Sequence, residues 1–167
     1  MMRIVVTLAV VLALAGCGRF GSGDEPGLTV PNVAREQSVD PARAAQLINA
    51  YRVSKGAGPL QVDPALNRIA AETARELARR DTLKTRMHTA GGLARRLLAD
   101  DYSAERAAEN LGAGYPTLVM AVDGWKTSPG HNKNLLNREM THMGIGLALT
   151  QKGKFHSYWV LLLAKPD

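Results

Sequence analysis

The sequence predicts one α+β domain, residues 40–167, that follows an export signal and a tether. Three observations predict this class. A polar residue stands directly before proline at Asp40, Asp63 and Ser128, which is typical of a helix start. Apolar residues at helical spacing follow these pairs. Near the C-terminus the pattern changes to short apolar runs separated by a turn, which indicates strands. Helices and strands in this mixed order favour a layered α+β domain.

The first two helices begin at the two Asp-Pro pairs. The first helix is expected to end at Gly56 and Gly58, and the second to end with Arg79 and Arg80 at the negative end of its dipole. Each helix has one apolar stripe that predicts a buried face. The stripes are Ala44, Leu47, Ile48 and Tyr51 in the first helix, and Leu66, Ile69, Ala70, Thr73 and Leu77 in the second.

Two further helices and a pair of strands complete the prediction. A short third helix is indicated by Leu93, Leu97 and Leu98, and a fourth by Leu118, Val119, Val122 and Trp125. On this face Trp125 is expected to pack in the core. Residues 143–149 and 157–164 are predicted to be neighbouring buried strands, joined by a turn over residues 151–154.

The N-terminal residues are typical of an export signal. Arg3 precedes an apolar stretch, residues 4–14, that is too short to span a bilayer. Residues 14–17, Leu-Ala-Gly-Cys, resemble the lipobox of bacterial lipoproteins, which predicts a signal peptide over 1–16 and a lipidated Cys17. Ordinary cleavage after Ala15 is the alternative. Residues 17–39, rich in glycine, are expected to form a flexible tether.

Charge and cysteine content exclude several classes of protein. Cys17 is the only cysteine, so no intramolecular disulfide can form and the domain must be held by packing. The chain has 21 basic and 15 acidic residues, a formal net charge of +6. That excess suits an anionic lipid or an envelope polymer. A solvated surface is the favoured explanation, because acidic residues are interspersed among the arginines on apparently helical faces, at positions 75, 79, 80, 95, 96 and 106. Nucleic acid is excluded as a partner, because no aromatic residues are interleaved with the basic ones.

Four short motifs occur in an order that resembles one protein family. They are Met-His-Thr at 87–89, Glu-Asn-Leu-Gly at 109–112, Trp-Lys-Thr-Ser-Pro-Gly-His at 125–131 with Asn-Leu-Leu-Asn at 134–137, and Met-Gly-Ile-Gly at 143–146. In this order they are similar to the CAP superfamily, named for cysteine-rich secretory proteins, antigen 5 and plant pathogenesis-related proteins, and to its short bacterial branch. The resemblance implies a three-layer α-β-α sandwich.

The resemblance also implies a shared cleft. In CAP proteins the two histidines and the glutamate that match His88, His131 and Glu109 face one cleft and can hold a metal ion. Imidazole nitrogen and carboxylate oxygen suit zinc or another divalent transition ion. The competing interpretation is that each histidine only satisfies a hydrogen bond, with Glu109 accepting one of them. Asn110 and Asn134 are expected to hydrogen-bond the backbone around this cleft.

Ser128 marks a departure from the family pattern. Eukaryotic members carry a second cleft glutamate at the position of Ser128, so the cleft here should be less anionic and bind metal more weakly. The start of the helix after Ser128 should keep His131 neutral. Ser128, His131 and Glu109 also suggest a serine nucleophile with its base and acid. We instead predict that Ser128 caps the helix, because the chain starts its other helices with the same kind of pair.

The predicted function is therefore binding without turnover. We expect a lipid-anchored protein of the bacterial envelope whose cleft of His88, Glu109 and His131 takes a divalent ion, a small polar ligand or a lipid such as a sterol or fatty acid. One alternative is a metal-assisted or serine hydrolase that acts on envelope peptides or esters. Another is an envelope interaction module that does not use the cleft. Gly18 follows Cys17 where aspartate would favour inner-membrane retention, which points to the outer membrane.

Overall fold

The computed structural model describes residues 34–84 and 88–167, which form five helices and four strands within one compact unit, Val33–Asp167. Cys17, the predicted signal and most of the predicted tether lie outside the described residues. The elements in chain order are α1 (Pro41–Ser54), β1 (Gln61–Val62), α2 (Pro64–Arg80), α3 (Ala90–Ala99), β2 (Ala104–Ala113), α4 (Leu118–Thr127), α5 (Pro129–Leu135), β3 (His142–Leu149) and β4 (Ser157–Pro166).

Side-chain caps start four of the helices. Asp40 accepts a hydrogen bond from the N–H of Ala42 at 2.9 Å, and Asp63 accepts one from Ala65 at 2.8 Å. Thr89 caps α3 and Thr117 caps α4 in the same way. The two predicted Asp-Pro helix starts are therefore confirmed, because each carboxylate satisfies an N–H that the first helical turn leaves unpaired.

The four strands form one sheet in the order β1-β3-β4-β2. The predicted pair of strands is confirmed: β3 runs antiparallel to β4 from His142 opposite Ala164 to Leu149 opposite Ser157. On its other side β4 pairs antiparallel with β2, and β1 adds a short parallel pair at the start of β3. The central strand β4 is buried along most of its length.

Helices cover both faces of the sheet, which is the expected α-β-α sandwich. Alternate residues of a strand point to opposite faces. Trp159, Leu161 and Leu163 of β4 face the layer of α1, α4 and α5. Tyr158, Val160 and Leu162 face the layer of α2 and α3. Trp125 lies in the first of these two cores and is almost fully buried, as predicted.

The sheet contains two strands that the sequence analysis did not predict. β2 consists largely of alanine, glutamate, asparagine and glycine, which are weak strand formers. Its pairing with β4 nevertheless extends over almost its whole length. β1 is only two residues long and pairs with two residues of β3. The neighbouring strands therefore impose both of these conformations.

Two of the apolar residues that indicated α3 and α4 are exposed. Leu98 is 70% exposed and Val119 is 42% exposed, because α3 and α4 each bury only one side. Contacts of the domain also begin before residue 40. The N–H of Glu36 donates to the carbonyl of Pro116, and Val39 packs against the core.

Two glycines allow α2 to approach β3 closely. A Cβ on Gly144 would overlap the backbone of Leu66 and Asn67, and a Cβ on Gly146 would overlap that of Ala70 and Ala71. The Met-Gly-Ile-Gly motif is thus a contact surface for a helix. It lets the backbone of α2 rest directly on the sheet.

A buried arginine joins α1 to the chain that follows α5. Arg52 is fully buried, and its guanidinium donates to four backbone carbonyls. The Nε atom bonds Gly58 at 2.7 Å, Nη1 bonds Leu135 at 2.6 Å and Asn137 at 3.0 Å, and Nη2 bonds Met140 at 3.2 Å. Burial lowers the pKa of Arg52. The guanidinium thus donates to carbonyls that would otherwise need a backbone N–H of a strand or helix.

Within residues 34–84 and 88–167, none of the helices has the length and apolar character needed to cross a membrane.

Candidate functional site

The three predicted site residues come from three different elements. His88 directly precedes α3, Glu109 lies in the second half of β2, and His131 lies in α5. The structure brings His88 and Glu109 into contact, with His88 Nδ1 2.9 Å from Glu109 Oε2. An ionised carboxylate only accepts hydrogen bonds, so Nδ1 is the donor. In a neutral ring this leaves Nε2 of His88 as an acceptor.

Glu109 has a second partner that the sequence analysis missed. Nη1 of Arg96, from α3, lies 2.8 Å from Glu109 Oε1 and 2.7 Å from the hydroxyl of Thr73. The side chain of Glu109 is only 5% exposed and that of Arg96 16% exposed. A carboxylate buried to this degree needs a paired positive charge. Arg96 supplies it, and His88 occupies the other oxygen.

Little in the sequence distinguishes Arg96 from its neighbour Arg95. Both were assigned to a solvated helical face, and Arg95 is exposed as expected. The available signal was weak: Arg96 is the position three residues after the buried Leu93 and directly before the buried Leu97. A charged residue between two core positions of a helix lies at the border of the apolar face.

His131 lies close enough to His88 for the two rings to interact electrostatically. Burial lowers the pKa of His131, and the proximity of His88 lowers it further, because protonation of both rings would bring two positive charges together. The lowered pKa agrees with the prediction that His131 is neutral. The causes found are burial and the second imidazole, whereas the prediction relied on the start of the helix.

Two asparagines hold the strand and helix of the site together. Asn110 Nδ2 donates to the backbone carbonyl of His131 at 3.0 Å. Asn134 Nδ2 donates to the carbonyl of Glu109 at 3.2 Å and to Asn110 Oδ1 at 3.0 Å. The predicted backbone roles are confirmed. Asn110 was also placed among the cleft residues, but it is fully buried and supports the site from below.

Ser128 occupies the N-cap position of α5, but its hydroxyl makes no cap hydrogen bond. Its backbone carbonyl accepts from the N–H of Asn132 at 2.8 Å, as the first bond of the helix. The predicted position is confirmed, and the predicted side-chain cap is wrong. The proline at the first helical position supports this start by its fixed φ angle.

A small pocket of about 240 Å³ opens beside the carboxylate. His88, Glu109 and Asn134 form its polar part, and Leu93 with several alanines forms the rest. A second pocket of about 300 Å³ shares Ala90, Leu93 and Ala107 with it and continues between α3 and β2. We call the two together the α3/β2 trough. It runs from a polar end at His88 to an end where Leu97 and Leu98 lie on the side of α3, and Glu105 and Arg106 lie on the side of β2.

The donor set only partly fits the metal ion that the resemblance implies. Arg96 forms an ion pair with one oxygen of Glu109 and His88 contacts the other, so the carboxylate already has two partners within the chain. His88 instead shows the arrangement typical of a metal-ligating histidine, in which a carboxylate binds one ring nitrogen and directs the other outward. Within the described part of the chain, no group of three or more acidic, histidine or cysteine side chains is placed to hold an ion.

Comparison with known proteins assigns the family. Residues 45–163 match the cysteine-rich secretory protein family, CAP. The chain is 31% identical over 104 residues to YkwD, an uncharacterized protein of Bacillus subtilis, a match that covers 62% of this chain and 40% of YkwD. It is 29% identical over 124 residues to the uncharacterized membrane protein YlbC of the same organism, covering 74% of this chain and 34% of YlbC. The chain thus spans less than half the length of these relatives.

Solved structures show the same fold. An extracellular protein of Bacillus anthracis that contains an SCP domain is 25% identical, with a TM-score of 0.64 over 74% of this chain and 39% of that one. An outer surface protein of Borrelia burgdorferi is 24% identical, with a TM-score of 0.65 over 78% of this chain and 98% of that one. The motifs, the α-β-α sandwich and these matches agree, and the chain belongs to the CAP family as a protein of the bacterial type.

Proposed function

We propose that this protein binds an amphiphilic ligand in the α3/β2 trough and does not turn it over. The observation that carries this proposal is the continuity of the polar pocket at His88 with the apolar surface between α3 and β2. Leu98, at the end of the trough away from His88, is 70% exposed and is the most exposed large apolar side chain among the described residues. Burial of apolar surface by a ligand is worth about 25 cal/mol per Å².

The polar end of the trough favours a ligand that donates a hydrogen bond. When His88 Nδ1 donates to Glu109, the Nε2 atom of the uncharged tautomer is an acceptor. Asn134 uses its amide nitrogen for Glu109 and Asn110, which leaves its Oδ1 as an acceptor. Two acceptors suit a hydroxyl group better than a carboxylate. The ligand class is therefore a neutral lipid or sterol-like alcohol with an apolar body.

The hydrolase alternatives have less support. A general base must be free to take a proton, but the carboxylate of Glu109 is paired with Arg96 and His88. A serine nucleophile needs a hydrogen-bonded base, and among the described residues no partner bonds the hydroxyl of Ser128. Neither arrangement resembles an activated catalytic group. Binding is the simpler function for these side chains.

Titration of matched alcohols and acids tests the ligand. 1-Octanol should perturb the backbone amide signals of Ala90, Leu93 and Ala94, and octanoate should bind more weakly at neutral pH. Leu98→Ser should weaken octanol binding by roughly three- to tenfold, through lost apolar contact. Val53→Ser is the matched control, since Val53 is 61% exposed on α1. Equal weakening by both variants, or tighter binding of octanoate, would contradict the proposal.

A specific observation also favours a metal ion at the polar end. The Nε2 lone pair of His88 and the neutral ring of His131 are two nitrogen donors, which suit zinc or copper better than magnesium or calcium. Zinc should bind modestly in calorimetry at neutral pH and lose affinity as imidazoles protonate below about pH 6. His88→Ala/His131→Ala should remove this binding, and His142→Ala should not. Equal heats from wild type and the double variant would exclude these donors.

We further propose that the protein is exported and held at a membrane through Cys17. The two solved relatives described above are an extracellular protein and an outer surface protein. Two or three acyl chains, at about 0.8 kcal/mol for each buried methylene, give stable anchoring. Cys17→Ser should move the protein from the membrane fraction to the soluble fraction. A wild-type mature protein that begins at Gly16 and is soluble would disprove lipidation.

A further inference from the structure

The outer edge of β3 is covered by another strand only at its beginning. β3 pairs with β4 along its whole length, from His142 to Leu149. On the other side, β1 pairs only with His142 and Met143. Among the described residues, no strand pairs with the remainder of this edge. An edge of this kind presents backbone donors and acceptors in the geometry that another strand requires.

The hydrogen bonds of β3 show which residues point outward. In an antiparallel pair, alternate residues direct their N–H and C=O groups to the partner strand and the others direct them away. The N–H of Thr150 donates to the carbonyl of His156, on the side of β4. The carbonyl of Met143 accepts from the N–H of Asp63, on the outer side. The N–H of Ile145 is also outward and is satisfied by the side chain of Asn67 at 2.9 Å. Leu147 and Leu149 follow Ile145 by two and four residues, so they share its orientation.

Leu147 and Leu149 therefore have their N–H and C=O groups on the outer edge. Within residues 34–84 and 88–167, no backbone or side-chain group bonds them there. Asn67 shows that the fold satisfies the preceding donor of this edge with a side chain and leaves the next ones open. Unpaired backbone groups of this kind are readily satisfied by an added strand.

Grooves lie on both sides of this open edge. One groove of about 600 Å³ is formed by α2 and residues 148–150, with Glu72, Arg75 and Arg79 along the helix. The other groove, of about 570 Å³, includes Leu149 and Thr150 and is bordered by Arg35 and His156. An added strand places alternate side chains on opposite faces of a sheet. The two grooves are located where those side chains would go.

The charges of the grooves favour acidic side chains. Arg35, Arg75 and Arg79 line them, against one acidic residue, Glu72. Of these arginines only Arg79 has an acidic partner among the described residues, Glu76. Nη1 of Arg35 is buried and lacks a hydrogen-bond partner within the described chain. A buried donor without a partner is destabilising, and a carboxylate of a ligand would satisfy it.

We propose that the outer edge of β3 binds an extended acidic peptide, which adds as a strand beside Leu147 and Leu149. The backbone of the peptide bonds the open edge, and its carboxylates lie in the two grooves near Arg35 and Arg75. This surface is separate from the α3/β2 trough, which lies between α3 and the strand β2 at the opposite edge of the sheet. The protein would thus hold a protein partner and a small ligand at different sites.

A short fluorescein-labelled peptide of alternating valine and glutamate is the probe. Its polarisation should rise on titration with the protein, and the backbone amide signals of Leu147 and Leu149 should shift. The same peptide with lysine for glutamate, or with N-methylated alternate amides, should bind at least about tenfold more weakly. Equal binding of the N-methylated peptide would overturn strand addition. Absence of binding up to about 1 mM would overturn the proposal as a whole.

Variants separate the backbone edge from the charges. Arg35→Glu/Arg75→Glu should weaken binding by about tenfold or more, and Arg95→Glu on the exposed face of α3 should leave it unchanged. Leu149→Pro should also abolish binding, because it removes an outward N–H without breaking a bond to β4. A dimer formed through this edge that the peptide does not displace would overturn the choice of partner, as would equal competition by anionic lipid vesicles.

Discussion

Gly146→Ala should lower the free energy of unfolding by about 3 kcal/mol or prevent folding, because overpacking of a rigid contact is among the more destabilising core changes. The added Cβ would overlap the backbone of Ala70 and Ala71 in α2. A flexible side chain could move away from it, but a helix backbone moves only as a unit. The helix α2 would have to move away from β3. This movement would also separate the buried residues Leu66 and Ile69 from the sheet. Urea unfolding followed by circular dichroism measures the effect.

Gly130→Ala is the matched control, since a Cβ there meets no atom within 4 Å. It should change the free energy of unfolding by no more than about 0.5 kcal/mol. Gly144→Ala should resemble Gly146→Ala, because its Cβ would overlap the backbone one turn earlier in α2. A loss below about 1 kcal/mol for both strand variants would show that α2 can shift freely, contrary to the close-packed interface described.

Arg52→Met should have the second large effect, a loss of about 4 kcal/mol or more. Methionine would fill much of the volume, but four backbone carbonyls would lose their donor. Each buried acceptor left unpaired costs about 1–3 kcal/mol, and the costs are only partly additive. The carbonyls belong to the segments that lead into β1 and β3. Their release should therefore loosen the turn at Gly58 and the chain from Leu135 to Met140.

Arg43, the other arginine of α1, provides the control. Arg43 is exposed and forms an ion pair with Glu36 at the surface. Arg43→Met should cost at most about 1 kcal/mol, because surface ion pairs contribute little. Arg52→Lys should lie between the two, since an ammonium group can reach only some of the four carbonyls. If Arg52→Met and Arg43→Met had the same free energy of unfolding, water would replace the guanidinium of Arg52 without a loss of stability.

The helices and the β3–β4 hairpin could be predicted because their signals are local. Asp40 and Asp63 before proline set the starts of α1 and α2, and apolar spacing identified their buried faces. β2 could not be predicted in this way. Its alanine, glutamate and asparagine residues have little intrinsic preference for a strand, and its conformation depends on the distant β4. The exposure of Leu98 could not be predicted either, since spacing cannot show how wide the covered face of a helix is.

The candidate site was predictable only through the ordered motifs. His88, Glu109 and His131 are far apart in the sequence, and no spacing rule makes them neighbours. The structure places His88 and Glu109 in contact. Arg96 could not be foreseen, because its partner Glu109 lies on a strand that the pattern did not reveal. Ser128 shows the converse: its local pattern located a helix start, although the expected hydrogen bond does not form.

The pairing of Arg96 with Glu109 gives the cleft an internal counter-ion. A guanidinium group is not deprotonated in proteins, so the charge opposite this carboxylate does not depend on pH or on a supplied cation. A site that relied on a metal for the same purpose would lose its structure when a chelator removed the ion. Here Glu109 contacts His88, and the counter-ion of Glu109 is a side chain of the same protein. The cleft can therefore keep its shape in surroundings where free divalent ions are scarce, and the ligand binding proposed for it need not follow metal supply.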